Sequence, residues 1–301
     1  MLLRQKELLV PGWKENVINL IQFPRCGCIP TISPYALKLE TWLRFNKLNY
    51  TNVSNELVKG SKKGQIPFIE HNGQQIADSN FIIDHLKKTM ELSIDRNLST
   101  RERADQLAYH SLIEDSLLRT MVYFRGQDLK WLATEDGLIR HLSGVKKFLF
   151  KNFFLAQLQK NAIHLNVYNN YFKKATMIQG VGRHSAQEVN LLAKKDLTAL
   201  STFLGNKRYF FGDKPTMVPL FFPTILKRLL KLDATAFGTL AQLLYTPLNG
   251  SEVKMFIEQS TPNLVQFTER VKSEYWSDWQ VLTTNLIMNA NDPVVGSKHH
   301  A

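Results

Sequence analysis

Ser33-Pro34-Tyr35-Ala36-Leu37-Lys38-Leu39-Glu40-Thr41-Trp42-Leu43 fixes the start of a helix more firmly than any other stretch of this 301-residue chain. Serine is a preferred N-cap, and proline at the next position gives up an N–H that has no helical partner anyway. Ala36, Leu39 and Leu43 then fall on one face. Val17 to Phe23 reads as a strand, so Ser33 lies where a strand hands over to a helix. There it sits among free backbone N–H donors, at the positive end of the helix dipole. That setting favours an anion such as the thiolate of a small-molecule thiol. Plain capping is the ordinary role of such a serine, and this segment alone does not exceed it.

A second segment, Gln65-Ile66-Pro67-Phe68-Ile69-Glu70, puts proline at the start of a strand, one of the few places a sheet tolerates it. A cis bond between Ile66 and Pro67 would present the Ile66 backbone to a ligand, and such bonds mark tight turns. His71-Asn72-Gly73-Gln74 reads as a hairpin turn returning into Gln75-Ile76-Ala77. Asp78-Ser79 then opens a helix whose N-terminal amides, with the Ser79 hydroxyl, suit a carboxylate; capping is again the plainer alternative.

The order strand, helix, strand, proline, hairpin, helix resembles the thioredoxin-like half of a glutathione transferase, where S/C-P-Y/F-A begins the first helix. Ile21-Gln22-Phe23-Pro24-Arg25, Ser33-Pro34-Tyr35, Leu37 to Arg44, Phe81-Ile82-Ile83-Asp84 and Gly182-Arg183-His184-Ser185 are similar to one branch, the failed axon connections family. That family is a metaxin-related group with the glutathione-transferase fold, and the likeness covers roughly residues 16 to 280. It implies an α/β plus all-α protein, an N-terminal thioredoxin-like domain followed by a C-terminal helical bundle. It also implies glutathione as ligand or co-substrate: Ser33 on the sulfur, the Ile66 backbone positioned by cis Pro67 on the cysteinyl part, Asp78 and Ser79 on the γ-glutamyl end. Gln65 stands where many active transferases place a lysine. The alternative is a non-catalytic adaptor or binding module at the cytosolic face of a membrane such as the mitochondrial outer membrane, where metaxins work in complexes. Homodimers are compatible with the resemblance.

Residues 1–15 read as a lead-in, 16–88 as the thioredoxin-like domain, 89–98 as a linker, 99–286 as the helical domain and 287–301 as a polar tail. Ser99-Thr100-Arg101-Glu102 and Ser185-Ala186-Gln187-Glu188 are capping-box patterns that announce long helices. Val189, Ala193, Leu197, Leu200 and Leu204 follow the second as an apolar stripe stopped by Gly205. Thr216 and Asp233, which belong to one capping pattern in relatives of this fold, are separated here by a strongly apolar insert at 217–230. The insert reads either as a membrane- or partner-binding loop or as an in-frame retained intron, and in both cases as a poorly packed excursion.

A net charge of +12 raises nucleic acid and anionic membranes as partners. The charge is dispersed and carries no nucleic-acid-binding motif, so no nucleic acid is expected. The densest basic region, the aromatic-rich 146–155, suits peripheral membrane contact, although a buried bundle helix explains it better. No apolar run is long enough to span a bilayer, and the two cysteines fit a reducing compartment, so a cytoplasmic location is expected. Cys26-Gly27-Cys28 reads as an exposed loop without the further ligands of a zinc site, and no metal is expected. Its position upstream of Ser33 keeps a redox contribution open. Glu114-Asp115, neighbours facing different ways on a helix, read as solvated or capping groups rather than a catalytic pair.

Overall fold

The computed structural model describes residues 3–4, 7–92, 98–141, 144–149, 180–212, 231–248, 251–284 and 293–294. The insert at 217–230 and the basic aromatic stretch from 150 onward lie outside them. The strands are β1 (Leu3–Arg4), β2 (Ile18–Gln22), β3 (Tyr50–Ser54), β4 (Lys59–Gly60), β5 (Phe68–His71), β6 (Gln74–Ala77) and β7 (Pro293–Val294). The main sheet has the order β6-β5-β2-β3-β7, while β1 pairs with β4 alone. β2 runs parallel to β3 and antiparallel to β5, with Ile21 opposite both Val53 and Phe68. Asn72 and Gly73 both have positive φ, as a two-residue hairpin turn between β5 and β6 requires.

Every residue of β2 is buried because the strand is covered on both faces. Ile18 and Leu20 pack with Leu39, Trp42 and Leu43 of α1 (Pro34–Phe45) and with Ile82, Ile83 and Leu86 of α2 (Ser79–Thr89). Ile21 joins Phe68 and Ala77 in a separate cluster, as the two-residue period of a strand demands. The remaining described helices are α3 (Thr100–Ser111), α4 (Leu118–Gln127), α5 (Gly144–Leu149), α6 (Ala186–Leu204), α7 (Lys231–Tyr245), α8 (Val253–Ser260), α9 (Pro262–Tyr275) and α10 (Trp279–Thr284). Both expected capping boxes form, at Ser99 with Glu102 and at Ser185 with Glu188. The stripe from Val189 to Leu204 is buried, and Gly205 ends α6 at φ 56°. Among the described residues no helix is long and apolar enough to cross a membrane.

α1 is the shared wall of the two halves. Its Leu37 enters the bundle core beside Ile113, Leu117, Phe237 and Leu240. α7 crosses it so closely that a Cβ on Gly238 would stand 2.7 Å from the Pro34 carbonyl oxygen and 2.9 Å from the Lys38 backbone nitrogen. Only glycine permits that approach.

Glu40, 0% exposed on α1, is the electrostatic centre of this wall. Arg25 donates to both its carboxylate oxygens at 2.8 Å, Gln22 donates at 2.7 Å and the Tyr50 hydroxyl at 2.8 Å. Arg44, 3.5 Å from Glu40, reaches across to Asp278 at 2.6 and 2.9 Å and to the Tyr275 carbonyl at 3.1 Å. The Arg44 guanidinium lies over the Trp276 ring, whose indole N–H donates to Thr41. Burial alone would raise the Glu40 pKa, but the guanidiniums, Arg25 foremost, hold it down at about 2.

The Cys26-Gly27-Cys28 segment is not the exposed loop that its sequence suggested. Cys26 is buried and Cys28 half-buried, because Gly27 N–H donates to the Gly137 carbonyl at 3.0 Å and Cys28 N–H to the Asp136 carbonyl at 2.9 Å. A Cβ on Gly27 would lie 2.0 Å from the Glu135 carbonyl oxygen, so glycine lets this segment dock on the helical half.

Two substitutions test this wall. Gly238→Ala should force α1 and α7 apart and cost about 1–3 kcal/mol in chemical denaturation, with a folded chain retained. Glu40→Gln should cost about 3–5 kcal/mol, because it strands buried guanidinium charge. With a folded pKa near 2 against an ordinary 4.5, Glu40 stabilises the fold above pH 4.5, and this contribution is lost as pH falls toward 2. Denaturation curves of the variant should therefore lose part of the wild-type acid dependence in that window.

Candidate functional site

Strand register brings the segments singled out in the sequence to one end of the sheet. Ile21, near the C-terminal end of β2, pairs with Phe68, and Phe68 pairs with Ala77. The loop leading to Ser33, the turn at Ile66-Pro67 and the corner at Asp78-Ser79 therefore all leave from this end. The Ile66–Pro67 bond is cis.

Ser33, 8% exposed, caps α1 by accepting from the Ala36 N–H at 3.3 Å. The capping role left open by the sequence is thus real, but it uses only a lone pair. The hydroxyl proton of Ser33 has no acceptor among the described residues. Likewise neither the N–H nor the carbonyl of Ile66 is bonded to a described residue. Buried or half-buried groups of this kind are ordinarily satisfied.

The loop before Ser33 is gripped from the helical half. Arg125 on α4 donates to the Ile32 carbonyl at 2.7 Å, and Gln242 on α7 donates to the Thr31 carbonyl at 2.8 Å. Arg125 also donates to Gln242 Oε1 at 2.7 Å and to Thr246 Oγ1 at 3.2 Å. The two carbonyls are thereby turned toward the bundle.

Asp78 caps α2, accepting from Asn80 N–H at 2.9 Å and Phe81 N–H at 3.4 Å. Its φ of 84° is costly for a residue with a Cβ, and such strain concentrates where backbone groups are aimed at a ligand. Ser79 is buried, and its hydroxyl accepts from Lys38 Nζ at 3.2 Å.

Lys38 is the residue the sequence reading missed. It is 1% exposed, and its ammonium also donates to Asn80 Oδ1 and Glu114 Oε1, each at 2.7 Å. Burial lowers its pKa to about 8 despite the Glu114 carboxylate beside it. Glu114 is not the solvated group expected. It is buried on a wide turn, Leu112–Leu117, that joins α3 to α4 with π-helical bonding, and its carboxylate meets Lys38, His110 and Asn80. Burial opposes its charge, but His110 and Lys38 hold its pKa at about 2. Its neighbour Asp115 does face solvent, 4.0 Å from Arg119. The available signal was the pair Lys38 and Glu40 interleaved with Leu37, Leu39, Trp42 and Leu43 in one helix. A helix covered on several faces leaves no room for solvated charge.

Together the end of the sheet offers an O–H donor at a helix N-terminus, a free backbone edge at Ile66, and a second helix N-terminus backed by an ammonium. That sequence of groups can hold an extended ligand with a thiol at one end and a carboxylate at the other. Among the described residues no cluster of side chains suits a metal ion.

Residues 34–131 match the glutathione S-transferase N-terminal domain, and residues 193–218 with 221–271 match the glutathione S-transferase C-terminal domain. The chain is 32% identical over 293 residues to the failed axon connections protein of Drosophila melanogaster, covering 94% of this chain and 63% of that protein. It is 28% identical to an isoprene-epoxide–glutathione S-transferase of Rhodococcus, covering 82% of this chain and 94% of that enzyme. With metaxin-1 of Homo sapiens the identity is 26%, over 82% of this chain and 49% of the human protein. The backbone resembles that of a beta-etherase from Sphingobium with a TM-score of 0.51 at 13% identity, covering 85% of this chain and 95% of that one, a likeness of fold. The chain belongs to the metaxin-related, glutathione S-transferase-like proteins, with the failed axon connections protein among its relatives.

Proposed function

We propose that this protein binds glutathione at the end of its sheet and activates the thiol at Ser33 for transfer to an electrophile in the cytoplasm. The observation that carries this reading is a pair of groups at one sheet end that have no partner among the described residues, the Ser33 hydroxyl proton and the Ile66 backbone. Ser33 donates to the glutathione sulfur, and the N-terminus of α1 adds its dipole. Both favour the charged form, so the thiol pKa falls and more thiolate is present near neutrality. The thiolate then attacks an electrophilic carbon, forming the carbon–sulfur bond. The Ile66 backbone, next to Pro67, pairs with the cysteinyl part. Asp78 and Ser79 hold the γ-glutamyl end, with Lys38 supplying positive charge behind Ser79. The similarity to a Rhodococcus enzyme named for glutathione transfer supports this assignment.

A second reading, a non-catalytic adaptor at a cytosolic membrane face, is favoured by α5, where Val145 and Phe148 are 73% and 60% exposed beside Lys147. Flotation of the protein with anionic liposomes, without retention on immobilised glutathione, would decide for the adaptor.

Calorimetric titration should give glutathione binding in the micromolar to millimolar range, about −8 to −4 kcal/mol. Ser33→Ala should weaken it and abolish the ultraviolet thiolate signal. A well-folded wild type that binds nothing refutes the proposal. Because Lys38 loses its charge near pH 8, S-methylglutathione, which has no titrating thiol, should bind more weakly as pH rises through that value. A weakening of roughly tenfold corresponds to about 1.4 kcal/mol of lost attraction.

A further inference from the structure

Arg125 holds a buried charge that no acidic group among the described residues balances. Its partners are neutral oxygens on Ile32, Gln242 and Thr246, its Nε is buried without a partner, and no described carboxylate lies within ion-pair distance. An isolated interior cation is costly and calls for a counter-charge. The ionisable groups acting on it are Cys26 and Cys28. These two thiols, one residue apart, sit in the same apolar cluster, on a segment pinned to the 135–137 backbone. Cys26 Sγ–H donates to the Asp136 carbonyl at 3.1 Å.

We propose that Cys26 and Cys28 form a redox-active dithiol, with Arg125 as the counter-ion of its thiolate, that exchanges with low-molecular-weight disulfides such as glutathione disulfide. Cys28, the half-exposed sulfur, is the one a disulfide can reach; buried Cys26 is the resolving thiol. Hydrogen bonding to Cys28, with a smaller contribution from the Arg125 guanidinium, draws the Cys26 thiol below its usual range, whereas Cys26 itself, then burial and the carboxylate of Asp136, push Cys28 up. Negative charge is thus available within the pair, and Cys28 passes its proton to Cys26 as it attacks. The Cys28 sulfur bonds to one sulfur of glutathione disulfide, the disulfide bond breaks, and one glutathione thiolate leaves. Cys26 then attacks Cys28 in the mixed disulfide and expels the second. The net change is protein thiol–thiolate pair plus glutathione disulfide to protein disulfide plus one glutathione thiol and one glutathione thiolate, the single thiol proton passing from Cys28 through Cys26 to a released glutathione. The ring closed by a single intervening residue is small, and Gly27 is the residue best able to accommodate it.

The test equilibrates the full chain in graded mixtures of glutathione and glutathione disulfide, and in parallel with hydroxyethyl disulfide, with acid quench, alkylation and intact mass. Wild type should lose two hydrogens to an intramolecular disulfide with either oxidant. Cys26→Ser should accumulate a mixed disulfide at Cys28, and Cys28→Ser should remain reduced. Arg125→Met should oxidise roughly tenfold more slowly, as expected when a cation no longer steadies the thiolate. Should that variant unfold, the wild-type alkylation rate against pH replaces it, with an inflection below the ordinary thiol value expected. A wild type that stays dithiol throughout, equal reactivity of the two single-cysteine variants, or an inflection at the ordinary thiol value overturns the proposal. Oxidation by hydroxyethyl disulfide in a protein that shows no calorimetric glutathione binding would separate this site from the one at Ser33.

Discussion

Glu40 stands between two guanidiniums at the point where sheet, first helix and C-terminal helices meet. Its carboxylate ties Arg25 and Gln22, which belong to the sheet and the loop after it, to Arg44, which in turn holds Asp278 and the Tyr275 carbonyl. Charged groups in this setting add little net stability, since desolvation offsets most of the attraction. Their effect is on specificity. The observed docking of the C-terminal helices on α1 pairs Arg44 with Asp278, and an arrangement that removed Asp278 would leave Arg44 to share Glu40 with Arg25.

The same helix carries the candidate site. Ser33 caps its first turn, Lys38 lies buried one turn later, and Glu40 follows two residues on, so a shift of α1 would move all three. Gly238 sets how closely α7 approaches this helix, and Arg125 with Gln242 holds the loop that feeds it. The helical half is therefore part of the site's construction even though the sequence motifs lie in the sheet half. An activated thiol needs donors aimed at one point with little freedom to relax. A loop whose carbonyls are held from behind meets that need.

The two proposed sulfur chemistries fall in one region. At Ser33 the proposed site would offer a hydrogen bond to a sulfur that a ligand brings, and at Cys26-Gly27-Cys28 the protein holds sulfur of its own. The residues connecting them are few. Arg125 acts on both thiols and bonds the carbonyl of Ile32, next to Ser33. A change in charge on the dithiol is thus felt by the group that orients the loop before α1.

Local rules made much of this protein legible from its residues. Ser33-Pro34, Asn72-Gly73, the boxes at Ser99 and Ser185 and the stripe ending at Gly205 are each decided by the conformational preference of a few neighbouring residues, and each forms where the sequence placed it. The fold follows from their order. The fates of Lys38, Glu40, Glu114 and Cys26 could not be read this way, because each is set by a partner distant in the chain: Glu114 for Lys38, Arg25 for Glu40, His110 and Lys38 for Glu114, Asp136 for Cys26. Sequence by itself determined the principal strands and helices and which of them cap, since those choices are made within a turn or two of backbone. It did not determine the short strands at Leu3–Arg4, Lys59–Gly60 and Pro293–Val294, which exist only through pairing with distant strands. Only the tertiary structure decided which charges and thiols are buried and what they face, because desolvation depends on what the far parts of the chain bring to cover them.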